Sequence, residues 1–214
     1  MSILSPPPPL PESPYSLRKK RENSEIILML MGIIHDQSVI FRDFQDKVNN
    51  NSLLVCLHMA VDFADDGELL PFIAPCVEDA YDATLRAADI GPAYLALSLY
   101  MDTGERAIPI AALAGYWLPS PDNTMQTRFE AVRKTYQRQG YGSLLFTAFE
   151  LAMVCLARHD PFMAMNLAGE TQLTLQAFVD LNDPDWHREM MLRRGYTVVD
   201  EEEGASVFEK RVAF

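Results

Sequence analysis

Residues Gln137-Arg-Gln-Gly-Tyr-Gly142 are the part of this chain best suited to hold an anion. Met125–Val132 ahead of them reads as a strand, and Ser143–Ala157 behind them reads as a long helix with apolar residues on most faces. A Gly-x-Gly step between a strand and a helix lets the backbone turn tightly and approach a ligand closely, so that several N–H groups converge on one anion. The helix that follows adds its unpaired first-turn donors and the positive end of its dipole. The product is a pyrophosphate seat for a nucleotide-like ligand. Two other phosphate loops are excluded. No glycine-rich loop ends in Gly-Lys-Ser or Gly-Lys-Thr, and position 145, where a dinucleotide fingerprint would place its third glycine, is Leu.

The wording of the loop resembles the acetyl-CoA-binding motif of the GNAT superfamily of N-acetyltransferases. That motif is Gln or Arg, two residues, Gly, one residue, then Gly or Ala, following a strand that ends Val-x-Pro. Gln137, Gly140 and Gly142 meet it in full; Val132 stands at the family's valine and Lys134 at its proline. Further on, Met191-Leu-Arg-Arg-Gly195-Tyr196 resembles the family's helix exit, Tyr-x-x-x-Gly-Phe. The resemblance implies an α/β (α+β) fold, with a mixed central sheet split between two parallel strands and flanked by helices. It also implies acetyl-CoA as co-substrate. The pyrophosphate would rest on the backbone of Gln137, Arg138, Gln139, Gly140, Tyr141 and Gly142, with Ser143 at the helix start. The pantetheine arm would pair with the backbone of Val132, Arg133 and Lys134. The Arg138 side chain could add a charge-assisted contact to phosphate.

In such a reaction the amine attacks the thioester directly, so the protein needs no acyl-accepting nucleophile. It must help the ammonium lose a proton and must stabilise the leaving thiolate. The family often places its base on the strand before the loop. By a period of two, residues 126, 128, 130 and 132 share one face there, and Glu130 is its only acid. Flanked by Phe129 and Ala131, its carboxylate would have its ionisation disfavoured by desolvation. The acid departs from the family pattern: Met191 stands where a tyrosine is usual, and methionine donates no proton. Water, Tyr136, Tyr196 or His187 could serve, or the thiolate could leave unassisted, or the chain could bind CoA without turnover.

Composition narrows the partners. The chain has 214 residues, 49% of them hydrophobic, and a formal net charge of −12. The acidic balance argues against a nucleic-acid partner, whose phosphates need clustered Lys and Arg, and suits an amine acceptor that is itself cationic. Cys56, Cys76 and Cys155 form no Cys-x-x-Cys pair, and the four histidines have no metal-site spacing, so no metal is expected. The apolar run Ile26–Ile34 is too short to span a bilayer and lacks a small-residue cleavage site, so no membrane partner is expected either. A cytoplasmic location follows from the thiol usage. A homodimer is compatible with all of this.

Residues 1–22 read as a disordered tail, proline-rich and then basic at Arg18-Lys-Lys-Arg21. The remainder, 23–214, reads as one acyltransferase domain whose 23–74 portion is atypical. Ser24 and Ser38 are candidate caps of two early helices, and Leu53–Phe63 fits either strand or helix. A helix is expected over Pro75–Ala87, and strands over Ala93–Met101, Ile108–Trp117 and Met125–Val132. After the long helix come a strand at Phe162–Leu167, a short helix within Thr171–Val179, a helix over Asp183–Arg194, and strands at Tyr196–Val199 and Ser206–Val212.

Overall fold

A computed structural model describes residues 53–60, 67–103, 105–118, 123–180, 185–202 and 204–214. The proline-rich tail, the helices expected behind Ser24 and Ser38, and the apolar run 26–34 lie outside the described residues. Seven strands form one sheet: β1 (Leu53–Met59), β2 (Leu95–Asp102), β3 (Ala107–Leu118), β4 (Thr124–Val132), β5 (Gln172–Asp180), β6 (Thr197–Glu202) and β7 (Ala205–Ala213). Their order is β1-β2-β3-β4-β5-β7-β6. Every neighbouring pair is antiparallel except β4 and β5, which run parallel. The helices are α1 (Leu70–Tyr81), α2 (Ala87–Ile90), α3 (Tyr141–His159), α4 (Pro161–Asn166) and α5 (Asp185–Arg193).

The two faces of the sheet make two cores. On one face, α3 buries Leu144, Leu145, Phe146, Phe149 and Met153 against β2, β3, β5 and β7, joined by Met163 of α4 and Met191 of α5. Each such side chain contributes about 1.5–3 kcal/mol by leaving water. This helix is long and apolar enough to cross a bilayer, yet here it is the central helix of the fold. On the other face, α1 packs Ile73, Cys76 and Val77 over Ala96, Ala112 and Ala114. Small alanines on the sheet let the helix approach closely.

Two elements differ in type from expectation. Residues 161–166 are helical, because Asp160 caps the turn by accepting the Met163 amide at 2.9 Å and Pro161 fits the first helical turn. The expected strand at Phe162–Leu167 is therefore absent. It lies ten residues on, in β5, where Leu173, Leu175, Ala177 and Val179 are buried in alternation with more exposed neighbours. That period of two belongs to a strand, and the short helix expected within Thr171–Val179 does not form. Helix α1 also starts and stops earlier than expected, with Asp82 ending it in the left-handed region at φ 53°. Leu53–Met59 is a strand and extends the sheet beyond β2.

A polar cluster joins α3, the exit of α5 and β7. The Arg194 guanidinium donates to the Glu150 carboxylate at 2.9 Å, to the Ser143 carbonyl at 2.9 Å and to Thr147 Oγ1 at 2.9 Å. Lys210 Nζ donates to the same carboxylate at 2.8 Å and to the Arg194 carbonyl at 2.8 Å. The Arg194 and Glu150 side chains are only 13% and 16% exposed, so each charge depends on its partner. Replacing Glu150 with Ala should lower unfolding stability by about 1–3 kcal/mol, read by urea denaturation, because two partly buried cations would lose their shared counter-charge.

Candidate active site

Sheet geometry opens the site. Strands β4 and β5 pair only from Thr124 opposite Thr174 to Thr127 opposite Ala177, although both continue further. At that point β4 carries a bulge: Phe129 and Glu130 stand opposite the single residue Leu113 of β3, with Phe129 at φ 57°. An extra residue bends and twists a strand. The end of β4 parts from β5, leaving a wedge between two parallel strands.

The bulge also reverses the faces of β4. Ahead of it, Met125 joins the core beneath α3 while Arg128 lies over Tyr116 on the α1 side. Beyond it, Phe129 and Ala131 pack on the α1 side and Val132 packs toward α3. Residues 126, 128, 130 and 132 therefore do not share one face. A period of two holds only while the ladder is regular, and here one inserted residue interrupts it. Glu130 ends up beside Thr127, whose hydroxyl donates to its carboxylate, and it faces the wedge.

The loop follows directly. Gly140 caps α3 at φ 87°, a conformation that suits glycine, and the Leu144 amide donates to the Gly140 carbonyl at 3.0 Å. The amides of Tyr141, Gly142 and Ser143 are first-turn donors without intrahelical acceptors. A Cβ on Gly142 would meet Val132 Cγ2 at 3.6 Å and Met190 Sδ at 3.9 Å, which is ordinary contact. A Cβ would therefore fit there, and only a larger side chain would fill the cavity that Gly142 lines. Arg138 and Gln139 are exposed at the loop crest, with Gln139 Nε2 donating to the Thr135 carbonyl at 3.0 Å. The Ser143 hydroxyl accepts from Arg194 at 3.2 Å.

Of the three backbone positions expected to meet a ligand arm, one faces the wedge. The Arg133 amide donates to Ile110 of β3 at 2.9 Å, so by strand alternation the N–H and C=O of Val132 point the other way, toward the wedge. Gln137 Nε2 donates to that Val132 carbonyl at 3.0 Å. The Lys134 amide is taken by Asp79 of α1 at 2.7 Å. The same carboxylate pairs with Arg133 at 3.2 Å, while Lys134 Nζ pairs with Asp82. The Lys134 amide, and then the Arg133 guanidinium, hold the Asp79 carboxyl below its ordinary range. Arg133 and Lys134 thus tie α1 to the loop and leave the wedge backbone to Val132.

Two cavities open on the wedge. One, of about 170 Å³, lies against the loop and is lined by Val132, Gly142, Leu145, Phe146 and Met190, among others. The other, of about 670 Å³, lies on the α1 side and includes Arg128, Phe129, Phe178 and Asp180. Three residues line both: Tyr81, Glu130 and His187. The Tyr81 hydroxyl donates to the Glu130 carbonyl at 3.1 Å, and His187 stacks on Trp186 at 5.6 Å between centroids. Their junction is where two ligands could meet.

The candidate acids separate cleanly. Met191 is fully buried in the α3 core, and α5 turns Trp186, His187 and Met190 to the wedge instead. Tyr196 is 2% exposed, edge-on to Phe146; burial and then the Glu150 carboxylate push its phenol above the ordinary range. Tyr136 lies edge-on to Tyr141, outside both cavities. Of the three side chains named as candidates, His187 alone lines the wedge. The three thiols are buried, and burial pushes Cys76 up to about 12 and Cys155 up to about 11. Among the described residues no three His, Cys, Asp or Glu side chains converge as metal ligands do. Trp186, Met190 and Tyr81 were not legible as site residues; the i, i+4 spacing of Trp186 and Met190 was their one available signal.

No family model and no curated protein sequence matches the chain. Solved structures do. The ribosomal-protein-S18-alanine N-acetyltransferase from Escherichia coli superposes with a TM-score of 0.50 at 15% identity, covering 75% of this chain and 96% of that one. An acyl-CoA N-acyltransferase from Pseudomonas aeruginosa gives 0.48 at 13% identity over 74% and 99%. The GNAT domain of the S. lividans protein PAT gives 0.46 at 17% identity over 74% and 90%. The fold is GNAT-like, a mixed sheet parted at the parallel pair of β4 and β5.

The placement of α5 carries its own test. Met191→Tyr should overpack the core and cost about 1–3 kcal/mol in denaturant titration. Met190→Tyr, directed into the wedge, should leave the unfolding midpoint within about 0.5 kcal/mol of the parent.

Proposed function

We propose that the chain is an acetyl-CoA-dependent N-acyltransferase. The observation that carries this reading is the meeting of the two cavities at Glu130, His187 and Tyr81, directly above a loop built to receive an anion. In this reading the pyrophosphate rests on the amides at the start of α3, and the pantetheine runs past Val132. The thioester then lies at the junction, with the amine arriving from the larger cavity.

The chemistry is a direct transfer. Glu130 takes a proton from the acceptor ammonium. The free amine nitrogen attacks the thioester carbonyl, a C–N bond forms, the C–S bond breaks, and the nitrogen gives up its second proton to water. The thiolate leaves with a proton from His187, which alone among Tyr136, Tyr196 and His187 lines the cavities. No covalent acyl-enzyme is needed, in keeping with buried thiols. The Thr127 hydroxyl, donating to the Glu130 carboxylate, fixes its orientation toward the junction. Positioned proton transfer of this kind is worth roughly 10²–10⁴-fold in rate.

Two measurements test the proposal. Gly142→Val should weaken acetyl-CoA binding at least tenfold in calorimetric titration while the protein still folds, since the added methyls fill the wedge floor; undiminished affinity would remove the loop from the site. Glu130→Gln should lower kcat about 100-fold in a CoA-thiol release assay, most strongly at low pH where the ammonium dominates, with acetyl-CoA affinity retained. A pH–rate profile that overlays the parent's would exclude Glu130 as the base.

A further inference from the structure

We infer that the acceptor is a small amine that also carries a carboxylate, such as an amino acid, and that Arg128 is the residue that selects it. This rests on the acyltransferase reading above and adds the acceptor's second functional group. The evidence lies in how Arg128 is held.

A directed chain of hydrogen bonds crosses three strands to reach it. Gln126, Gln176 and Glu209 are register neighbours on β4, β5 and β7. The Glu209 carboxylate accepts from Gln176 Nε2 at 3.1 Å, which turns the Gln176 carbonyl oxygen toward Gln126. Gln126 Nε2 donates to that oxygen at 2.8 Å, which leaves the Gln126 oxygen to accept from Arg128 Nε at 2.8 Å. Since an ionised carboxylate only accepts, the Glu209 end sets the direction of every amide in the chain. The guanidinium is flanked besides by Tyr116, at 5.3 Å from the ring centroid, and by Phe178, at 6.0 Å.

An arginine fixed through Nε and flanked by rings keeps both terminal nitrogens for something else. Among the described residues no carboxylate forms an ion pair with it. The side chain lines the larger cavity, and Glu130, on the far side of the bulge, lines it as well. A planar fork of N–H donors matches a carboxylate bidentately, which a lysine would not do. Asp89, Asp180 and Glu130 line the same cavity and favour the ammonium end of the ligand. A zwitterion therefore has both of its charges met there, the carboxylate on Arg128 and the amine beside Glu130.

The test uses the full chain loaded with CoA and a set of amino acids, each beside its carboxamide and its decarboxylated amine. Calorimetric titration should show the acid binding at least tenfold more tightly than its amide, and Arg128→Gln should erase that difference. Arg128→Lys, which keeps the charge but loses the fork, should fall between. In turnover, Arg128→Gln should raise KM for the amino acid at least tenfold without lowering kcat/KM for the simple amine. Equal binding of acid and amide to the parent protein would overturn the inference, as would a preference that survives in Arg128→Gln. A third overturning result would be weakened use of succinyl-CoA with an unchanged acceptor KM, since the carboxylate would then belong to the acyl donor. Arg128-dependent binding of the acid with no transfer would uphold this inference and defeat the acyltransferase reading.

Discussion

The structure turns on one inserted residue. With Phe129 at φ 57° and two residues of β4 set against Leu113, the strand can no longer follow β5, and the parallel pair of β4 and β5 comes apart after four residues. A left-handed backbone at a bulky residue costs about 1–2 kcal/mol. It persists because Phe129 and Ala131 pack against the α1 core, while Val132 is held from the other side by its contact with α3. A regular strand would zip β4 to β5 along their full length and close the wedge. The strain is what keeps backbone polar groups of Val132 available and sets Glu130 on the opposite face from Arg128.

The two walls of the wedge are braced by different means. On the loop side, the Arg194–Glu150–Lys210 cluster ties the first turns of α3 to α5 and β7, so the helix that presents the loop amides cannot shift without parting buried charges. On the α1 side, Asp79 binds both the Lys134 amide and the Arg133 guanidinium, fastening the end of α1 to the exit of β4. Apolar packing sets the layers apart, and these charge-assisted bonds fix the phase of one wall against the other.

Much of this was legible in the residues. The Gly-x-Gly loop, the strand before it and the helix behind it lie where their chemistry required, because a turn at positive φ and an apolar helix leave local signals. The β4 face was misread for a physical reason: a bulge is set by pairing with β3, and nothing in Arg128-Phe129-Glu130 announces it. Segment 161–166 was misread because Phe162, Met163 and Met165 suit a buried strand as well as a helix. The capping pair Asp160-Pro161 carried the decisive information. Met190 and Met191 are one step, about 100°, apart on the helix. Aligning by Gly195 identifies the turn but not which of Met190 and Met191 faces the wedge.

The charge of the chain and the charge of its proposed ligand pull in opposite directions, and the local geometry resolves the conflict. At −12 overall, the protein's long-range field opposes a polyanion. The cations around the loop are largely committed, Arg133 to Asp79, Lys134 to Asp82 and Arg194 to Glu150. An anion at the loop is therefore met chiefly by backbone dipoles at the start of α3, acting within a few ångströms, well inside the roughly 8 Å over which salt screens the rest of the surface. The acidic surface acts instead on the far cavity, where it favours an incoming ammonium. In the proposed reading, a seat made of amides and a mouth lined with carboxylates let one acidic protein address an anion and a cation at once, on opposite sides of the same parted strand.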